Sequence, residues 1–208
     1  MYEEKRKEYF IIAILYWLIS IVCFWLMGVM YQRHIPYDDI LYYALSAVVI
    51  LIVLLKDKSI RNLGFTKEKI KINLVISLLI ISVAFIASLF ISFHTWDILV
   101  KRTIYYLLYV AFIEEIIYRG FIQNYLFGLK VRKFLIYLLG ALLFSLMHLP
   151  FQMYVYNNVS LDYVITAIPQ LVSCFLFHLV MCFITYVRKD ITIPIALHYA
   201  IDYIQSVL

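Results

Sequence analysis

Charge is scarce in this chain. Lys, Arg, Asp and Glu make up 15% of its 208 residues, while 65% are hydrophobic and the mean hydropathy is +0.93. A soluble domain carries about 25% charged residues. That deficit excludes a water-soluble fold and describes a polytopic membrane protein. Cysteine is sparse too: Cys23, Cys174 and Cys182 lie in apolar runs at no metal-ligand spacing and read as packing thiols. No small-x-small cleavage site follows Lys5-Arg6-Lys7, and the run from Tyr9 to Tyr31 is too long for a signal-peptide core, so it reads as an uncleaved first span. Neither an internal repeat nor a low-complexity tract divides the chain, which reads as one integral membrane domain over residues 1–208.

What is present is a series of apolar stretches, approximately 9–31, 38–55, 72–93, 103–127, 134–156, 163–187 and 191–208. Each approaches the ~20 residues a helix needs to cross a bilayer, so the expectation is an all-α transmembrane bundle of about seven spans. Fourteen of the eighteen basic residues fall in alternate connections: Lys5–Lys7, Lys56–Lys71, Lys130–Lys133 and Arg188/Lys189. The opposite set holds Arg33, Lys101 and Arg102. The positive-inside rule then puts the N-terminus in the cytoplasm and the C-terminus outside. The net charge of +5 is therefore topogenic and points to no nucleic-acid partner. The connection from Lys56 to Lys71 reads as a solvated loop against anionic headgroups, with Thr66-Lys67-Glu68 able to cap a short surface helix.

Against this background Glu114, Glu115 and Arg119 stand inside a spanning run, where each charge costs roughly 2.5–3.5 kcal/mol on insertion scales. Helical spacing makes Glu115 and Arg119 neighbours, an ion pair that neutralises both. Glu114 points elsewhere, over Tyr118, without a local partner. A carboxylate so placed suits general acid–base chemistry. Two further apolar runs carry His148, one turn after Phe144 and close to Pro150, and the i, i+4 pair His198 and Asp202. Pro150 leaves two arrangements open: the helix ends there, or it runs on kinked toward Tyr156.

These residues carry a resemblance. Glu114-Glu115-x-x-x-Arg119, Phe144-x-x-x-His148 and His198-x-x-x-Asp202 match, in order and spacing, the motifs of the CPBP family of CAAX-prenyl endopeptidases and bacteriocin-processing or immunity proteins. Tyr118-Arg119-Gly120-Phe121 and Ile193-Pro194-Ile195-Ala196-Leu197-His198 fit as flanking text. The likeness covers residues 105–205 as a catalytic core; the spans of 1–104 are only generically similar. It implies motifs facing a shared intramembrane cavity and hydrolysis of a peptide bond in a membrane-associated or secreted precursor. By the same resemblance Glu114 activates water, His148 helps hold or deprotonate it, and His198 and Asp202 stabilise the oxyanion or hold the far side of the site. Asp202 occupies a position where relatives have Asn or Asp. Glu115 with Arg119 is structural.

A metal stays open. Glu114, His148, His198 and Asp202 could ligate Zn²⁺ or another divalent ion, yet no His-Glu-x-x-His helix is present and a glutamate-activated water explains the same residues. The partners expected are the lipid bilayer and a peptide or protein substrate reaching the site from it. Isoleucine, lysine and tyrosine usage points to an AT-rich bacterial genome and a multi-pass cell membrane protein. The alternative function is a non-catalytic immunity or binding protein on the same fold; a proton-coupled transporter lacks the broken-helix repeats it would need. Elsewhere, His178 reads as packing, His34 and His94 as solvated at the outer side, Asn73 and Asn124 as interfacial or capping residues, and Trp17, Trp25 and Trp96 as interface belts and lipid-facing packing.

Overall fold

A computed structural model describes residues 2–36 and 40–208. The first two residues of the expected second span, 38 and 39, lie outside that set. Among the described residues eight helices follow in chain order: α1 Lys7–Gln32, α2 Ile40–Asp57, α3 Ile70–Ile91, α4 over 96–126, α5 Lys133–Val155, α6 Leu161–Thr166, α7 Ile168–Arg188 and α8 Thr192–Val207. No strand occurs among the described residues. Helices α1, α2, α3, α5 and α7 are long and apolar enough to cross a membrane. The other two expected spans fall on α4, which carries the charged motif, and α8, whose 16 residues reach about 24 Å against a hydrocarbon core of about 30 Å.

The spans pack as lipid demands, with small or polar residues inward and large apolar ones outward. In α3 the buried residues are Asn73, Ser77, Ala84 and Ser88, whereas Leu78, Leu79, Val83 and Phe90 are all at least 60% exposed. Ser88 and Tyr203 share a hydrogen bond of 2.7 Å that pins α3 to α8. Helix α1 buries Ala13, Tyr16, Ser20 and Met27, a stripe at three-, four- and seven-residue steps. It lies along α5, with Gly28 pressed against Tyr154. Trp17 belongs to this seam, its Nε1 donating to the Leu143 carbonyl at 2.9 Å, and not to an interface belt.

Helix α4 is the axis of the bundle. Every residue from Glu115 to Gly128 is buried. Two π-helical stretches, Tyr105–Ala111 and Ile116–Ile122, flank the four-residue α turn Phe112–Glu115, so the carboxylates stand between two widened turns. Such irregularity is common where a helix carries function.

One end of the bundle is laced together. Lys5 N donates to the Phe127 carbonyl and Lys5 Nζ to Asn62, both at 3.1 Å. Asp57 accepts from Tyr9, Tyr125 and Asn62 at 2.7–2.8 Å. Ile191 N donates to the Gly64 carbonyl at 3.1 Å, and the buried Asp190 accepts from the backbone of Thr66 and Thr192. The four basic connections therefore share one end. The 57–69 segment is more than a solvated loop: Leu63 and Gly64 are buried, and Leu63 lies so close to Gly120 that any Cβ there would meet its carbonyl. Its ordered turn is Ile60–Leu63, capped by Ser59, with no helix at Thr66–Glu68. Asn73 and Asn124 also belong to this lacing. Asn73 accepts from Arg188 Nε at 2.8 Å, Asn124 accepts from Tyr2 N at 2.9 Å, and both are fully enclosed.

Candidate active site

Helix α5 runs through Pro150 to Val155, with a break at Met147. A proline has no N–H to donate to the carbonyl four residues back and its ring crowds that carbonyl, so the irregularity falls one turn before Pro150, beside His148. The ring Nδ1 of His148 then faces the Phe144 carbonyl at 3.0 Å, leaving the opposite edge toward a cavity of about 590 Å³. Glu114, His148, His198 and Asp202 all line this cavity.

Two of the four meet directly. His198 Nε2 lies 3.3 Å from Asp202 Oδ2, one turn along α8, and 3.9 Å from Glu114 Oε2 across to α4. Its Nδ1 bonds Glu115 Oε1 at 2.8 Å. The same oxygen pairs with Arg119 Nη1 at 2.9 Å. Glu115 and Arg119 have no exposed surface at all, whereas the Glu114 side chain keeps 21%. The two adjacent carboxylates thus divide: Glu115 is sealed behind the histidine, and Glu114 opens onto the cavity. The Arg119 guanidinium packs against the neighbouring rings of Phe144 and Phe177, at 4.2 and 5.1 Å, a desolvated contact worth up to about 2 kcal/mol.

The sequence pointed to Glu115–Arg119 as a closed pair; the structure adds His198 as its third member. Other cavity residues lay beyond the motifs. Gln152 stands one turn after His148, Gln205 continues the α8 stripe of His198 and Asp202 at the i+7 position, and Gln170, Ser173, Cys174 and Phe177 come from α7. Cys174 is consequently a wall residue and not simply a packing thiol, and none of the three cysteines is in a disulfide. The polar periodicity of α7 and α8 was the signal available for these. His178 is fully buried, its Nε2 facing Gln123 Oε1 at 3.1 Å, and lines no part of the cavity.

Among the described residues, no three His, Cys, Asp or Glu side chains gather closely enough to hold a metal ion. Both nitrogens of His198 are turned to carboxylates, and His148 directs Nδ1 at a backbone carbonyl.

The family model of the Rce1-like type II CAAX prenyl endopeptidases matches residues 95–204, a little over half of the chain. The protein belongs to that family. The matched stretch begins at α4 and takes in every cavity residue named above except Gln205, which follows its last residue; the Rce1-like members are proteases of the CPBP group. No curated protein and no solved structure shows significant similarity to the chain.

Proposed function

We propose that this Rce1-like protein is an intramembrane endopeptidase in which Glu114 activates the attacking water. The observation that carries the reading is the convergence of Glu114, His148, His198 and Asp202, from three helices, on one cavity inside a membrane bundle. Charges at this depth are otherwise a heavy penalty, and here they face a common space large enough for a short peptide.

In the reaction Glu114, the open carboxylate, takes a proton from water as the hydroxide oxygen bonds the substrate carbonyl carbon. His148 flanks the water from the other side. The tetrahedral oxyanion forms toward His198, and the proton held by Glu114 passes to the departing amide nitrogen as the C–N bond breaks. His198 faces a carboxylate at each ring nitrogen, Glu115 at 2.8 Å and Asp202 at 3.3 Å. Glu115 and Arg119 orient that ring, and Asp202 faces its other edge. This makes Asp202 a partner of the oxyanion-stabilising histidine in place of a direct oxyanion donor.

Substrate reaches the cavity from the bilayer. Ile201, 43% exposed, lines it and gives its mouth an apolar edge. The shared end of the four basic connections is the cytoplasmic one, so the N-terminus is inside. The substrate is a membrane-associated or secreted peptide precursor.

Cleavage of a quenched-fluorescent peptide library by the purified protein in liposomes tests this reading. Wild type is compared with Glu114→Ala and His148→Ala, each with and without a chelator. Loss of cleavage in both variants, with chelator-resistant wild type, is the expected result. No cleavage by folded wild type would move the assignment to a binding or immunity protein. Chelator-sensitive activity restored by Zn²⁺ would overturn the metal-free mechanism.

A further inference from the structure

The site has a second compartment. A separate cavity of about 160 Å³ meets the first at Glu114, His148 and Gln152. Its remaining walls are Phe24, Tyr118, Met147 and Phe151. The two spaces differ in character as well as size. The larger one carries the amides of Gln170 and Gln205 and the hydroxyl of Ser173, groups able to bond a peptide backbone. The smaller one offers rings and a thioether. An apolar hole of about 150 Å³ takes one benzene-sized group. That is the bulk of a Leu, Ile, Met or Phe side chain, and it is too small for a long isoprenoid chain or a peptide strand.

We propose, resting on the protease reading above, that this compartment is a specificity pocket for a single apolar side chain beside the scissile bond, and that Phe24 sets its size. The position follows from the shared wall: a residue seated there has its backbone at Glu114 and His148, where water attacks, while the rest of the substrate extends along the amides of the larger cavity. Phe24 stands on α1, whereas the catalytic residues all come from α4, α5 and α8. It is held from behind by an edge contact with Tyr42, and Phe151 is held likewise by Tyr31. The Met147 wall lies at the break in α5, so the same irregularity that sets His148 also shapes the pocket. A thioether adapts to different occupants, whereas the braced ring of Phe24 fixes a limit. Apolar pockets discriminate by about 10–200-fold per methylene-sized misfit.

The test is the amino-acid profile of cleavage by the full chain in liposomes, with each position around the cut bond varied in a peptide library. Wild type is expected to select Leu, Ile, Met or Phe at one position next to the bond and to reject Trp, Asp and Lys there. Phe24→Ala should admit Trp, raising its kcat/KM relative to Leu at least tenfold. Phe24→Trp should shift preference to Ala and Val while other positions keep their profile. Ile201→Ala, on the larger cavity, should leave this position's preference unchanged. Cleavage that persists with the same profile in both Phe24 variants would overturn the pocket while leaving the protease standing. Absence of cleavage by folded wild type would overturn both.

Discussion

Glu115 Oε1 stands 2.8 Å from His198 Nδ1 and 2.9 Å from Arg119 Nη1, bridging two helices through one oxygen. All three groups are buried, so the carboxylate neutralises the guanidinium and orients the imidazole at once. Removing one member of such a set strands a buried charge, at a cost of about 3–5 kcal/mol. Glu115→Gln should therefore lower the thermal midpoint in detergent and also reduce cleavage. The double variant Glu115→Leu with Arg119→Met should recover most of the midpoint and none of the activity. Recovery of both would show that the ion pair serves folding alone and leaves His198 unaffected.

Asp202 offers a milder test. Its Oδ2 lies 3.3 Å from His198 Nε2, and an asparagine oxygen can occupy the same place. Asp202→Asn should keep cleavage within about tenfold of wild type, while Asp202→Ala should lose about 10–100-fold, the usual effect of removing an orienting partner. Peptide turnover at saturating substrate measures the difference. Equal loss in both would assign the negative charge itself to the reaction.

Gly120 lies where α4 passes the Ile60–Leu63 turn, with no room for a Cβ beside the Leu63 carbonyl. The obstacle is backbone, which yields less readily than a side chain. Gly120→Ala should destabilise by about 1–3 kcal/mol through overpacking. It should also displace the buried half of α4, which includes Arg119. Unfolding in detergent followed by circular dichroism gives the first quantity; an unchanged midpoint would mean that the turn moves freely.

Cys174 and Cys182 lie two turns apart on α7 in opposite settings. Cys174 lines the large cavity and Cys182 is 1% exposed. A small maleimide should modify Cys174 and block cleavage, and should leave Cys182 untouched under native conditions. Mass spectrometry of the adducts locates the label. Cys174→Ser should remain active and become insensitive. Inhibition that survives this substitution would place the sensitive thiol elsewhere.

The helices and the polar motifs were legible in the sequence because both depend on local spacing. Apolar runs set the spans, and four-residue steps put Glu115 beside Arg119 and His198 beside Asp202. Spacing also separated the two carboxylates, and what it could not reveal was the third member that joins the Glu115–Arg119 pair. His198 reaches Glu115 from α8, more than eighty residues away. The proline question was likewise tertiary: Pro150 kinks α5 at Met147 without ending it, because α1 packs along the half that follows the break, His148–Val155. Asn73, Asn124 and Trp17 look interfacial by type, yet each completes a bond between distant segments. The amide lining and Phe24 fall outside the motifs altogether, since a wall needs only to fit.

The lacing at one end has a consequence for synthesis. Tyr2 donates to Asn124 across 122 residues. At roughly 5–20 residues per second, Tyr2 leaves the ribosome several seconds to some twenty seconds before its acceptor is made. Within that interval α1, α2 and α3 are made, all before the helix they surround. The seat for α4 is thus assembled around an absent occupant, and a chaperone or insertase able to hold those three helices apart would act in that window.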